Sequence, residues 1–151
     1  MPVLPQTSIL FGDLSAVLST TSAKTYSLPI KISTVNNKVT VVQLELSYDP
    51  KILTDVKVNT GTFFANPFIP INQVNEKDGR ISYAISINPQ DTGRQGNGLL
   101  ATLTFQTQTS ASQSTRIVLL PKSLVVAEGT DRSVLKATTS AQFTVGEAPA
   151  Q

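Results

Sequence analysis

Ten carboxylates, twelve Lys or Arg side chains, and no histidine or cysteine are the chemically capable groups of this 151-residue chain. Without histidine there is no Ser-His-Asp or Cys-His nucleophile, and the usual zinc ligands are missing too. Two carboxylates or a Ser–Lys pair remain as histidine-free engines. The acidic residues do not cluster in sequence, however, and Asp49 and Asp55 read as turn residues. Asn75, Glu76, Asp78 and Asp91 fall in loops and are the residues to weigh for calcium. A calcium loop needs six or more oxygen ligands held by a rigid turn. Asn75-Glu76-Lys77-Asp78-Gly79 lacks the alternate-position spacing of such a loop and reads as a solvated turn. Lys31, Lys57 and Lys122 are the lysines a Lys–Asn isopeptide crosslink would draw on. Each lies in an outward phase or beside a turn, where simple solvation is the plainer reading. The expectation is a non-catalytic chain with no metal or cofactor of its own.

The elements that position these residues are strands. Apolar residues make up 40% of the chain and charged ones only 15%, a balance that supports a core and argues against disorder. Ser, Thr, Val, Ile and Leu are abundant, as suits pleated sheets. In 25–35, Tyr26, Leu28, Ile30 and Ile32 alternate with Thr25, Ser27, Lys31 and Ser33. Pro29 stands in the outward set and predicts an edge position or a bulge. Asn36-Asn37 then predicts a turn, making 25–35 and 39–48 a hairpin. Along 39–48, Val42, Leu44, Leu46 and Tyr48 point inward, while Val41, Gln43, Glu45 and Ser47 point outward. Asp78-Gly79 is a hairpin-turn signal. After it, 80–87 alternates Ile81, Tyr83, Ile85 and Ile87 against Ser82, Ala84 and Ser86. Further strands are expected at 8–11, 99–107, 115–120, 124–127 and 142–145. No long helical periodicity competes, so the fold class is all-β, a two-layer antiparallel β-sandwich.

The net charge is +2, and the basic residues are scattered from Lys24 to Lys136 without forming a stripe, so no nucleic-acid partner is expected. No apolar run approaches the roughly 20 residues of a membrane helix, so no membrane insertion is expected. Met1-Pro2 opens onto no charged n-region and apolar h-region, so any secretion signal is expected to have been removed or to lie outside this stretch. Residues 1–7 read as a flexible end, 8–145 as the domain, and 146–151 (GEAPAQ) as the start of a linker within a larger multimodular chain.

Two motifs then carry a resemblance. Tyr48-Asp49-Pro50 followed by Leu53 ends a strand at a proline and returns the chain to the core. About fifty residues later, Gly96-Asn97-Gly98 leads into Leu100-Ala101-Thr102-Leu103-Thr104-Phe105, glycines allowing a tight loop before a buried strand. With the Gly-Thr-Phe-Phe segment and the DGRISYAIS strand between them, the chain resembles the cohesin family, the receptor modules of cellulosome scaffolds, over 8–145. The resemblance implies a jelly-roll sandwich of roughly nine strands. It implies that one flat sheet face receives dockerin, a small helical module that carries the calcium. Carried over by position, the partner-binding residues would be Val41, Gln43 and Glu45 with Ser82, Ala84, Ser86 and Asn88. Val41 and Gln43 stand where cellulosomal cohesins often carry Asn or Asp, and 88–98 is short, which implies either a changed dockerin specificity or no dockerin at all. The implied setting is extracellular or cell-surface, with the module a monomer that meets polysaccharide only indirectly.

A carbohydrate-binding module is the nearest alternative, because several share the sandwich. Sugar sites use exposed aromatic platforms; this chain has no Trp, and Tyr26, Tyr48 and Tyr83 fall on inward phases. Phe63, Phe64 and Phe68 could form an apolar lip, although a connection folded over the open end of the sandwich explains them as well. A structural surface or stalk domain is the second alternative.

Overall fold

Residues 3–12, 17–18, 25–108 and 113–145 are described by a computed structural model of the chain. The expected linker at 146–151 lies outside the described residues, as do residues 1 and 2 of the expected flexible end. Twelve strands and no helix occur among the described residues: β1 (Thr7–Phe11), β2 (Val17–Leu18), β3 (Tyr26–Ser33), β4 (Val39–Ser47), β5 (Leu53–Thr60), β6 (Phe68–Asn75), β7 (Arg80–Ser86), β8 (Asn97–Thr107), β9 (Gln113–Leu119), β10 (Leu124–Ala127), β11 (Leu135–Thr138) and β12 (Ala141–Val145). One sheet runs β11-β1-β3-β8-β5; the other runs β2-β12-β9-β4-β7-β6, with β10 also paired to β4. Pairing is antiparallel except between β1 and β11 and between β2 and β12. The expected sandwich is therefore present.

The inner phases of both sheets make one core. Val42, Leu44 and Leu46 of β4 are fully buried, as are Leu28 and Ile30 of β3 and Leu103 and Phe105 of β8. Each such side chain removed from water contributes about 1.5–3 kcal/mol. The layers also meet through specific contacts. Phe105 stacks on Phe143 of β12 with ring centres 5.7 Å apart, and the Tyr83 hydroxyl of β7 hydrogen-bonds Thr60 of β5 at 2.8 Å.

The expected hairpin between 25–35 and 39–48 does not form. β3 lies between β1 and β8, whereas β4 pairs with β7, β9 and β10 in the opposite sheet. The Asn36-Asn37 turn crosses between layers because its groups are committed elsewhere. The Asn37 amide donates to the Leu4 carbonyl at 2.9 Å, and its oxygen accepts from the Gln6 N–H and the Thr7 hydroxyl, each at 2.9 Å. On the near side, Thr34 is fully buried and bonds Gly96 through both its N–H and its hydroxyl. The crossing lets the apolar phases of β3 and β4 face each other.

Pro29 is not at a sheet edge, since β3 has a neighbour on each side. β1 reaches only to Phe11 opposite Ile30, and Gly12 donates to the Pro29 carbonyl at 2.8 Å where that ladder stops, so the missing donor interrupts nothing. The bulge alternative lies one residue on, at Ile30/Lys31. Asp55 also departs from expectation: it sits within β5 at φ 52°, in a register shift between Thr54 and Lys57, and is a bulge residue rather than a turn residue. At the first motif, the Asp49 carboxylate accepts from the Lys51 N–H at 2.9 Å, and Leu53 returns to the core, as read from sequence.

Candidate functional site

Residues directly opposite each other in an antiparallel pair point to the same side. The register of β10, β4, β7 and β6 therefore lays out the outer face of this sheet as rows. Val126, Val41, Ser86 and Phe68 form one, and Leu124, Gln43, Ala84 and Ile71 the next. Glu45, Ser82 and Gln73 follow, then Val118, Ser47, Arg80 and Asn75. Six of the seven residues proposed from sequence, Val41, Gln43, Glu45, Ser82, Ala84 and Ser86, thus come together on one face. The seventh, Asn88, does not join the rows: β7 ends at Ser86, and Asn88 is an exposed turn residue whose carbonyl accepts from the Asp91 N–H at 2.8 Å.

Ala84 defines the character of this surface. It is only 4% exposed, yet it is not part of the core cluster that takes in its strand neighbours Tyr83 and Ile85. Its methyl points away from the core but lies between the longer Gln43 and Ile71 on a central strand. Such a position forms a low, rigid floor with no rotamers to freeze on binding.

Glu45 is held from both ends. Pro121 interrupts the strand between β9 and β10, where regular pairing with β4 lapses. There the Ser123 hydroxyl accepts from the Glu45 N–H at 2.9 Å and donates to the Glu45 carbonyl at 3.1 Å, which also accepts from the Leu120 N–H at 2.7 Å. The carboxylate accepts from the Gln43 amide at 3.1 Å and from the Ser82 hydroxyl at 2.6 Å. A flexible acid becomes a fixed one.

Sequence reading missed β6 and did not place β10 on this face. β6 carries Pro70 and a register shift between Phe68 and Ile71, which hide its alternation, but both residues pair with outward positions of β7. Phe68 is 63% exposed, whereas Phe63 and Phe64 are buried edge to face, 4.8 Å apart. The three phenylalanines are therefore not one lip. Two close the end of the sandwich, where a Cβ on Gly98 would come within 2.9 Å of the Phe63 ring, and one belongs to the outer face. Leu124 and Val126 were legible as a strand, but only their pairing with Gln43 and Val41 assigns them to this surface.

The remaining candidates have local roles. Asn75 accepts from the backbone N–H groups of Lys77 and Asp78 and donates to the Asp78 carboxylate, which builds the β6–β7 turn. Gly79 closes it at φ 68°. No group of three metal-capable His, Cys, Asp or Glu side chains occurs among the described residues. Lys57 pairs with Asp55 at 3.7 Å in the open. Burial pushes the phenols of Tyr48 and Tyr83 above their ordinary range; Glu76 adds to the effect at Tyr48, and the Thr60 hydrogen bond opposes it at Tyr83. Both are inward residues, as expected, and Tyr26 is half-buried. Among the described residues no helix is long and apolar enough to cross a membrane.

Comparison with known proteins decides the family. A cohesin-domain family model matches residues 16–145. The chain belongs to the cohesin family. Solved cohesins share its fold. A non-cellulosomal cohesin from the hyperthermophilic archaeon Archaeoglobus fulgidus is 20% identical with a TM-score of 0.70, over 93% of this chain and 91% of that one. The cohesin in a type I cohesin–dockerin complex from Clostridium thermocellum is 17% identical with a TM-score of 0.73, over 94% of each chain. A Clostridium acetobutylicum cohesin solved in solution is 21% identical with a TM-score of 0.70, over 95% of this chain and 92% of that one. No curated protein gives a significant match. At these identities the likeness establishes the common sandwich.

Proposed function

We propose that this cohesin is a non-catalytic docking module that binds a dockerin-type helical partner on the outer face of β10-β4-β7-β6. The reading includes assembly of extracellular or cell-surface complexes, with the module acting as a monomer within a larger chain. One observation carries it: Ala84 is nearly inaccessible yet faces away from the core, so the centre of the face is a floor that fits a flat partner. Val41, Gln43, Glu45, Ser82, Ala84 and Ser86 form its middle, and Phe68, Ile71, Leu124 and Val126 flank them. A standard protein interface needs about 800 Å² per partner, a demand that four adjacent strands can meet. The family supplies the partner class, since relatives have been solved as cohesin–dockerin complexes.

The test is a pulldown against a panel of calcium-loaded dockerins, repeated with chelator, beside a panel of insoluble polysaccharides. Capture of a dockerin that is released by chelation is the expected result. Retention on cellulose or chitin with no dockerin captured would replace this reading with the carbohydrate-binding one.

A further inference from the structure

The rows of the docking face are not alike. The two nearest the start of β4 present Val126, Val41, Phe68, Leu124 and Ile71 around Ala84, a mostly apolar half in which Ser86 and Gln43 are the polar members. The next row presents Glu45, the only carboxylate in the four rows. Successive rows lie two residues apart along a strand, about 7 Å. The Lys57–Asp55 pair is the one ion pair among the described residues, so no cation pairs directly with Glu45; Arg80, the one cation in the rows, lies a row further on opposite Ser47. A carboxylate has about four lone-pair sites, and Gln43 and Ser82 occupy two of them, orienting the group while leaving capacity for a further donor.

Resting on the docking reading above, we propose that Glu45 is the specificity determinant of this face, and that it selects a partner whose docking helix sets an Arg or Lys beside an apolar patch. Charge complementarity argues for it. A half-buried carboxylate covered by a partner without a cation would be left desolvated and unpaired, which penalises that partner. A guanidinium or ammonium group completes its hydrogen bonding with charge-assisted bonds. The fixed orientation means little side-chain freedom remains to be lost when the pair forms.

The test titrates the full chain and its Glu45→Gln variant with the same panel of calcium-loaded dockerins, at low and at high salt. Glu45→Gln keeps the shape and removes the charge. The expected result is an affinity loss of at least about 30-fold for the tightest dockerin, with a flatter salt dependence than the unsubstituted chain. Asp131→Asn, a change in an exposed loop, leaves affinity unaltered. Exchanging the charges, with Glu45→Lys here and Glu in place of the basic residue on the dockerin, restores binding. If dockerins bind and Glu45→Gln stays within threefold with the same salt slope, this inference is wrong and the docking reading stands. If none of the panel binds the unsubstituted chain, the docking reading falls and takes the inference with it. Should Glu45→Gln fold poorly, the salt dependence of the unsubstituted chain decides: a salt-independent affinity overturns the proposal.

Discussion

The two sheets share one core but turn different surfaces to water. Outward positions of β3, β8 and β5 carry Ser27, Lys31, Thr102, Thr104, Lys57 and Asn59 with Pro29 and Leu99 among them, a mainly polar face whose one ion pair, Lys57–Asp55, lies in the open. Outward positions of β10, β4, β7 and β6 carry Leu124, Val126, Val41, Ala84, Ile71 and Phe68 around one oriented carboxylate. Alternation of apolar and polar residues is equally good on both sides, and it shows only which phase is buried. What occupies the outward phase distinguishes a surface that keeps the protein soluble from one that can lose its water to a partner.

Substitutions that separate core from face, and one face from the other, sharpen this contrast. The largest effect belongs to the shared core: Leu44→Ala should cost about 2–5 kcal/mol by denaturant titration, because Leu44 is fully buried one residue from outward Gln43. A smaller split separates two buried phenols. Tyr83→Phe removes the 2.8 Å bond to Thr60 that links the sheets and should destabilise by about 0.5–1.5 kcal/mol. The Tyr48 hydroxyl is buried with no hydrogen-bond partner among the described residues, so Tyr48→Phe should be neutral or slightly stabilising. Both phenols are raised by burial, so the folded state holds their protons more tightly than the unfolded chain. Stability should therefore be level at neutral pH and fall as pH rises past about 10, where the unfolded phenols ionise first; a melting temperature constant to pH 11 would contradict this. The smallest effect belongs to the opposite face. Thr102→Arg should leave dockerin affinity within about twofold, because Thr102 points to water from the other sheet.

Strict parity made β4 and β7 readable from sequence, and with them six residues of the face. Bulges hid β5 and β6. Asp55 at positive φ puts both Leu53 and Val56 inward, three residues apart, which breaks the period-two pattern of β5. Pro70 and the Phe68/Ile71 shift do the same in β6, whose edge position also leaves it little apolar burial to show. The crossing at Asn36-Asn37 was not legible either. A short turn between two alternating strands looks alike whether they pair or part, and only the use of the Asn37 side chain to hold Leu4, Gln6 and Thr7 selects the latter.

The claim that the β10-β4-β7-β6 face is the docking surface is tested most directly by calorimetric titration of a calcium-loaded dockerin into the unsubstituted chain and into Ala84→Arg. A large side chain raised from the floor should weaken binding by at least about 100-fold, equivalent to about 2.7 kcal/mol, while the melting temperature stays within a few degrees. Undiminished affinity in folded Ala84→Arg, with binding lost instead in Thr102→Arg, would place the partner on the other sheet and contradict the account.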